Sequence, residues 1–149
     1  MKGQTIAVST VIDVLPDALW SILEPVERHV DWMADAESIT FTSEQTRGVG
    51  TRFICETKVG PIRLRDDMEI TEWTPGHAMG VRHRGIVTGS GRFTLSQRGP
   101  HSTNFIWREQ LQFPWWMGGS VAGFLGGRLV LRAIWRRNLK KLKSLSETG

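Results

Sequence analysis

The sequence predicts an α+β chain: a seven-stranded antiparallel sheet, two short helices after its first strand, and a long C-terminal helix over one sheet face. Three observations carry this. Residues 4–14 alternate in the period-two pattern of a half-buried strand. From about 37 to 113 the chain reads as strand, turn, strand, with connections short enough for antiparallel neighbours. The meander needs a cover for its apolar face, and only the last stretch is long enough to supply one.

Along the first strand Ile6, Val8, Thr10 and Ile12 share one side, with Ala7, Ser9 and Val11 on the other. "LPDALWSIL" then changes period. Pro16 suits a first helical turn, Asp17 suits the positive helix end, and Leu19, Trp20 and Leu23 form an apolar stripe. Pro25 ends that helix, and "VERHVDWM" reads as a second short one with Val26, Val30 and Met33 on one side. Turn signals at 47–50, 59–62, 74–76, 84–89 and 98–102 then separate six strands. They are Ile39–Ser43, Thr51–Lys58, Ile62–Trp73, Ala78–Arg84, Val87–Gln97 and Thr103–Phe113. Their apolar sides hold Phe53 and Cys55, then Ile62, Leu64, Met68 and Ile70, then Met79 and Val81. Phe93 and Leu95 follow, and finally Phe105, Trp107, Leu111 and Phe113.

The stretch "FPWWMGGSVAGFLGGRLVLRAIWRRNLKKLK" admits three readings. Its uncharged run from Phe113 to Gly127 is shorter than the roughly 20 residues a membrane span needs, and Arg128 and Arg132 block any extension. As a cover it works, because Val121, Leu125, Leu131, Trp135, Leu139 and Leu142 recur at helical spacing. Glycines cost a helix roughly 1 kcal/mol each against alanine, so their density here implies room left for something. The second half carries seven Lys and Arg and no acid, which reads first as a solvated face. Because Trp115 and Trp116 precede it, a weak peripheral membrane contact stays open.

With 149 residues, 40% of them hydrophobic and 23% charged, the chain reads as one domain, 1–149, able to bury a real core. A net charge of +4 concentrated in the last helix argues for a local basic patch, and no nucleic-acid reading motif accompanies it. One cysteine excludes an internal disulfide. No secretory signal pattern opens the chain, which predicts a cytoplasmic location.

The order of elements, with the motifs "IDVLPDALWSIL", "HVDWM", "GVGTRF", "MEITEWTPG", "GSGRFTLSQRGPHSTNFIW" and "RNLKKLK", resembles the START-like superfamily. Within it the chain is similar to the broad SRPBCC group labelled polyketide cyclase/dehydrase, and the resemblance covers nearly the whole chain. It implies the helix-grip fold, a curved sheet gripping a long helix around a hydrophobic cavity. Members use that cavity to bind lipids, sterols, polyketides or hormones, and some use it for catalysis. Carried onto this sequence, the cavity is lined by Phe53, Cys55, Leu64, Met68, Met79, Val81, Phe93, Phe105 and Trp107 from the strands. His29 and Trp32 come from the short helices, and Gly123, Gly127 and Leu131 from the long one.

Polar residues on those faces are the informative ones. Asp66 shares its side with Leu64 and Met68, Glu109 shares its side with Trp107 and Leu111, and His83 follows Val81. A carboxylate in an apolar pocket has a raised pKa and suits proton transfer near neutrality. Three readings stay open for Glu109: an ion pair with Arg82 or Arg92, a ligand-orienting group, or a catalytic one. Asp66 has the same choices, with Arg63 and Arg65 as surface partners should a bulge turn it outward. His29 and His83 read first as packing or hydrogen-bonding histidines, with His29 a candidate ligand contact and His83 a candidate ligand-orienting or catalytic group. The chain has no tyrosine, no phosphate loop and no dinucleotide fingerprint. Its four histidines lack a zinc spacing, so no metal and no cofactor is expected. The expected partner is a hydrophobic small molecule of lipid or polyketide-like type. A cyclase or dehydratase using a cavity carboxylate and histidine is the rival. A lipid-handling or membrane-peripheral module through the tryptophans and the basic helix is the third reading.

Overall fold

Seven strands form one antiparallel sheet in the order β1-β7-β6-β5-β4-β3-β2. The computed structural model describes residues 4–112 and 118–148, without the side chains of 4, 62 and 118–128. The strands are β1 (Gln4–Ile12), β2 (Ala36–Phe41), β3 (Arg52–Val59), β4 (Ile62–Thr74), β5 (Ala78–Arg84), β6 (Thr88–Arg98) and β7 (Ser102–Gln112). Helix α1 (Pro16–Leu23) and a 3-10 helix (Val26–Asp31) lie between β1 and β2, and α2 (Gly118–Thr148) follows β7. This is the helix-grip architecture that the sequence predicts.

Period-two alternation places the core. On β7 every second residue, Thr103, Phe105, Trp107, Glu109 and Leu111, is buried. On β4 the inward set includes Asp66, Met68 and Ile70, and on β5 it includes Met79 and His83. Leu131, Trp135, Leu139 and Leu142 bring the apolar stripe of α2 down onto these faces. The side chains of Val121 and Leu125, expected on the same stripe, are not among those described, and Phe113, Trp115 and Trp116 lie outside the described residues.

Three local features differ from the sequence expectation. The second short helix is 3-10, whose three residues per turn bury Val26, His29 and Trp32 on one side. An α-helical period had paired Val26 with Val30 and Met33. Strand β2 begins at Ala36 rather than Ile39, with a bulge between Ala36 and Ser38. Val87 lies outside β6 and is buried in the connection before it.

A polar residue inside the apolar stripe of α2 holds the helix in place. The Asn138 side chain is buried, its oxygen accepting from the Ala34 backbone N–H at 2.9 Å and its nitrogen donating to Asp35 at 2.7 Å. Further along, Lys143 donates to the Val11 carbonyl at 2.9 Å, and Glu147 accepts from the Asp13 backbone N–H at 2.8 Å. These contacts tie the C-terminal half of α2 to the segment before β2 and to the end of β1.

Candidate functional site

Between the inward sheet faces and α2 lies a cavity of about 140 Å³. Phe53 and Cys55 from β3, Leu64 and Met68 from β4, and Met79 and Val81 from β5 line it. Phe93, Trp107, Leu131 and Trp135 complete the apolar wall, and His29 reaches it from the 3-10 helix. Trp32 and Phe105 do not line it. Both belong to the aromatic packing behind the wall, each against Phe93, with ring centroids 5.8 and 5.3 Å away. Gly123 and Gly127, expected in the lining, fall in the part of α2 described for its backbone alone. Met33, Asp35, Ala36, Thr57, Val59 and Val87 also line the cavity and were not singled out from the sequence. Asp35 and Val87 sit in connections, where alternation carries no signal.

Besides His29, Asp35 and Thr57, the polar part of the wall holds one cluster. Asp66, His83 and Glu109 come from β4, β5 and β7, and all three side chains are buried. Glu109 Oε2 lies 2.9 Å from His83 Nε2, and Glu109 Oε1 accepts from Trp107 Nε1 at 3.2 Å. On the other side of the ring, His83 Nδ1 is 3.9 Å from Asp66 Oδ2. Arginine partners expected for these carboxylates go elsewhere. Arg92 forms a bidentate pair with Glu72, and Arg63 pairs with Glu37. Arg65 and Arg82 are exposed, on the opposite side of the pleat from Asp66 and His83.

Sheet register explains why Glu109 and His83 meet. Across β5, β6 and β7, Val81 faces Gly91 and Gly91 faces Glu109, while His83 faces Gly89 and Gly89 faces Leu111. The two inward positions of "GSG" therefore carry no side chain. That notch on β6 lets the carboxylate of Glu109 and the imidazole of His83 lean over the central strand toward each other. A Cβ on Gly91 would sit 2.7 Å from Glu109 Oε1, and one on Gly85 would sit 2.9 Å from Asp66 Oδ1. Gly89 has φ +138, and a Cβ there would overlap the Gln110 carbonyl oxygen, so only glycine fits. The sequence carried this signal as a Gly-x-Gly inside a strand, spaced to clear one face.

Electrostatics follow from burial and these neighbours. Burial raises Asp66 above the usual carboxylate value of 3.8, with the charge of His83 pulling the other way and that of Glu109 adding to the rise. Burial alone would lower His83, but the charge of Glu109, the Glu109 hydrogen bond and the charge of Asp66 together lift it above 6.5. His29 behaves oppositely. Burial pushes it down to about 4, so it is neutral, and its Nε2–H donates to the Leu23 carbonyl at 2.8 Å, at the end of α1. Burial likewise pushes the Cys55 thiol up to about 11, leaving it inert near neutrality.

A methyl at position 91 tests whether the notch matters. In Gly91→Ala the Glu109 carboxylate must leave its seat, costing about 1–3 kcal/mol of stability through lost charged hydrogen bonds. His83 should then titrate lower than in the wild type when followed by NMR. An unchanged His83 titration would show that the notch does not hold the pair.

Residues 3–147 match the family described as polyketide cyclase/dehydrase and lipid transport, and the chain belongs to that family. The helix-grip fold and this match place it in the START-like, SRPBCC superfamily. Among solved structures it is similar to TTHA0849 of Thermus thermophilus, with TM-score 0.77, 16% identity, and 96% of this chain and 97% of that one covered. The Zhui aromatase/cyclase of Streptomyces gives TM-score 0.75 at 17% identity, covering 97% and 94%. A Deinococcus radiodurans protein gives 0.69 at 15%, covering 98% of both chains. At these identities the likeness is one of fold. No curated protein sequence matches the chain at a significant level.

Proposed function

We propose that the protein binds a hydrophobic small molecule, of lipid or polyketide-aromatic type, in the cavity between sheet and α2. The observation that carries this is the distribution of polarity: a largely apolar cavity in which three buried titratable groups, Asp66, His83 and Glu109, converge. Such a wall takes its affinity from apolar burial and its orientation from the few polar atoms. Phe93, Trp107 and Trp135 present aromatic surface, and Trp107 and Trp135 stack at 4.8 Å and 21°. Native mass spectrometry of freshly purified protein, followed by organic extraction, tests the reading. A discrete added mass released by solvent is expected. Failure to bind any member of a panel of aromatic and acyl compounds would sink it.

A second reading keeps the same ligand class and adds chemistry. A histidine held between two carboxylates has a proton donor and acceptors ready for a cyclisation or dehydration. On this reading Glu109→Gln abolishes turnover while ligand still binds. Wild-type protein that binds such compounds and converts none of them would rule the reading out.

The exposed face of α2 supports a peripheral membrane contact as an accompanying interaction. Leu129 and Val130 are exposed, followed by exposed Arg132, Arg136, Arg137, Lys140 and Lys141. None of these five cations has an ion pair among the described residues. No helix of the described residues is long and apolar enough to cross a membrane. Salt-sensitive binding to phosphatidylserine vesicles, lost when Arg136, Arg137, Lys140 and Lys141 are neutralised, is the expected result. No binding at low salt would remove the contact.

A further inference from the structure

Two buried polar atoms of the site have no partner among the described residues: His83 Nδ1 and Asp66 Oδ1. His83 Nδ1 and the nearer Asp66 oxygen, Oδ2, stand 3.9 Å apart. That is too far for a hydrogen bond. One oxygen atom placed about 2.8 Å from each spans it. Buried polar groups are nearly always satisfied, so an unpartnered His83 Nδ1 beside the Asp66 carboxyl, in a ligand-sized space, points to something that completes it.

We infer that the site recognises a ligand hydroxyl, whose oxygen bridges His83 Nδ1 and Asp66 Oδ2. The inference rests on the cavity reading above and names the group the ligand presents. Hydrogen-bond bookkeeping selects a hydroxyl over its competitors. Taking His83 Nε2–H as the donor to Glu109, a single proton shared between Nδ1 and Asp66 has two positions. With His83 charged and Asp66 ionised, Nδ1–H donates and Asp66 accepts. With His83 neutral and Asp66 protonated, Asp66 donates and Nδ1 accepts. Either way the pair offers one donor and one acceptor, and a hydroxyl answers both.

Other groups leave a mismatch. A ketone oxygen accepts only, so one of the two partners stays unpaired. A ligand carboxylate meets Asp66 and Glu109 in the same wall. An ammonium donates only and faces the imidazolium. A methyl group leaves both partners unpaired. Size narrows the choice further, since a cavity of about 150 Å³ holds benzene, close to the 140 Å³ here. The hydroxyl therefore sits on a single ring or on the narrow end of a larger apolar molecule.

Phenol and toluene test this directly, being nearly the same size and differing in hydroxyl against methyl. A purely apolar cavity prefers toluene, because the phenol hydroxyl must give up water on entry. With the bridge formed, phenol binds the wild type about 10-fold more tightly than toluene by isothermal titration calorimetry. In Asp66→Leu that order reverses. Equal affinities, or toluene first in the wild type, would overturn the hydroxyl inference and leave the apolar cavity standing, with water filling the gap. Binding of neither ring would overturn the cavity reading and the hydroxyl inference with it. Should Asp66→Leu fail to fold, the wild-type order decides alone.

Discussion

Glu109→Ala is expected to destabilise the protein by about 3 kcal/mol at pH 6, and by clearly less at pH 9. The variant leaves His83 buried without its 2.9 Å partner and leaves the Trp107 indole N–H unpaired. The sign of the pH dependence follows from the direction of the His83 shift. Its folded pKa lies above 6.5, so the folded wild type holds the proton more tightly than the unfolded chain. That contribution is fully present below 6.5 and is lost as pH rises through the raised value. In the variant, burial outweighs what Asp66 alone supplies at 3.9 Å, and the contribution shrinks or changes sign. Asp66 adds a fall of the same direction, beginning at 3.8, and it is smaller in the variant because the Glu109 charge contributes to the raised value. Urea denaturation of both proteins between pH 5.5 and 9 reads the difference. An equal loss at every pH would show that the pair is held by packing rather than charge.

Trp135→Ala should cost about 3–5 kcal/mol, the range for losing a buried aromatic side chain and leaving a hole behind. Trp135 is buried, stacks on Trp107 with centroids 4.8 Å apart, and forms part of the cavity wall. It is thus the point at which α2, the sheet and the cavity meet. Trp135→Phe keeps an aromatic ring there and should cost roughly half as much. Thermal and urea unfolding measure both. A loss under about 1 kcal/mol in Trp135→Ala would mean that α2 does not pack on the sheet there.

Much of this architecture was legible because burial on a sheet obeys a period of two. Ala78–Arg84 coincides with β5, and β3, β4, β6 and β7 differ from the expected strands only at their ends. Parity alone placed Asp66 and Glu109 on apolar faces, and His83 two residues after Val81 on the same side. Arg82 and Arg92 were expected as partners of Glu109, but each lies one residue from an inward position; Arg92 pairs with Glu72 and Arg82 is exposed. What alternation could not supply was register. Glu109 reaches His83 only because β6 places Gly89 and Gly91 between their strands, a relation across three strands. The 3-10 helix hid its period behind residues that suit an α-helix, and Trp32, expected in the cavity from the family resemblance, packs behind its wall. Phe105 was expected there for the reason that put Trp107 there, and only three-dimensional depth separates them. Asn138 gave no warning, because a single polar residue in an apolar stripe reads as a neutral interruption until its partners, Ala34 and Asp35, are in view.

The most direct test of the central claim is a methyl NMR titration of the intact protein with benzene. The account predicts saturable shifts at the methyls of Leu64, Met68, Met79, Leu111 and Leu131, all of which line the cavity, with none at the exposed Leu15 and Leu129. No saturable shift at the lining methyls, or equal shifts at the exposed ones, would contradict the claim that this cavity takes a hydrophobic guest.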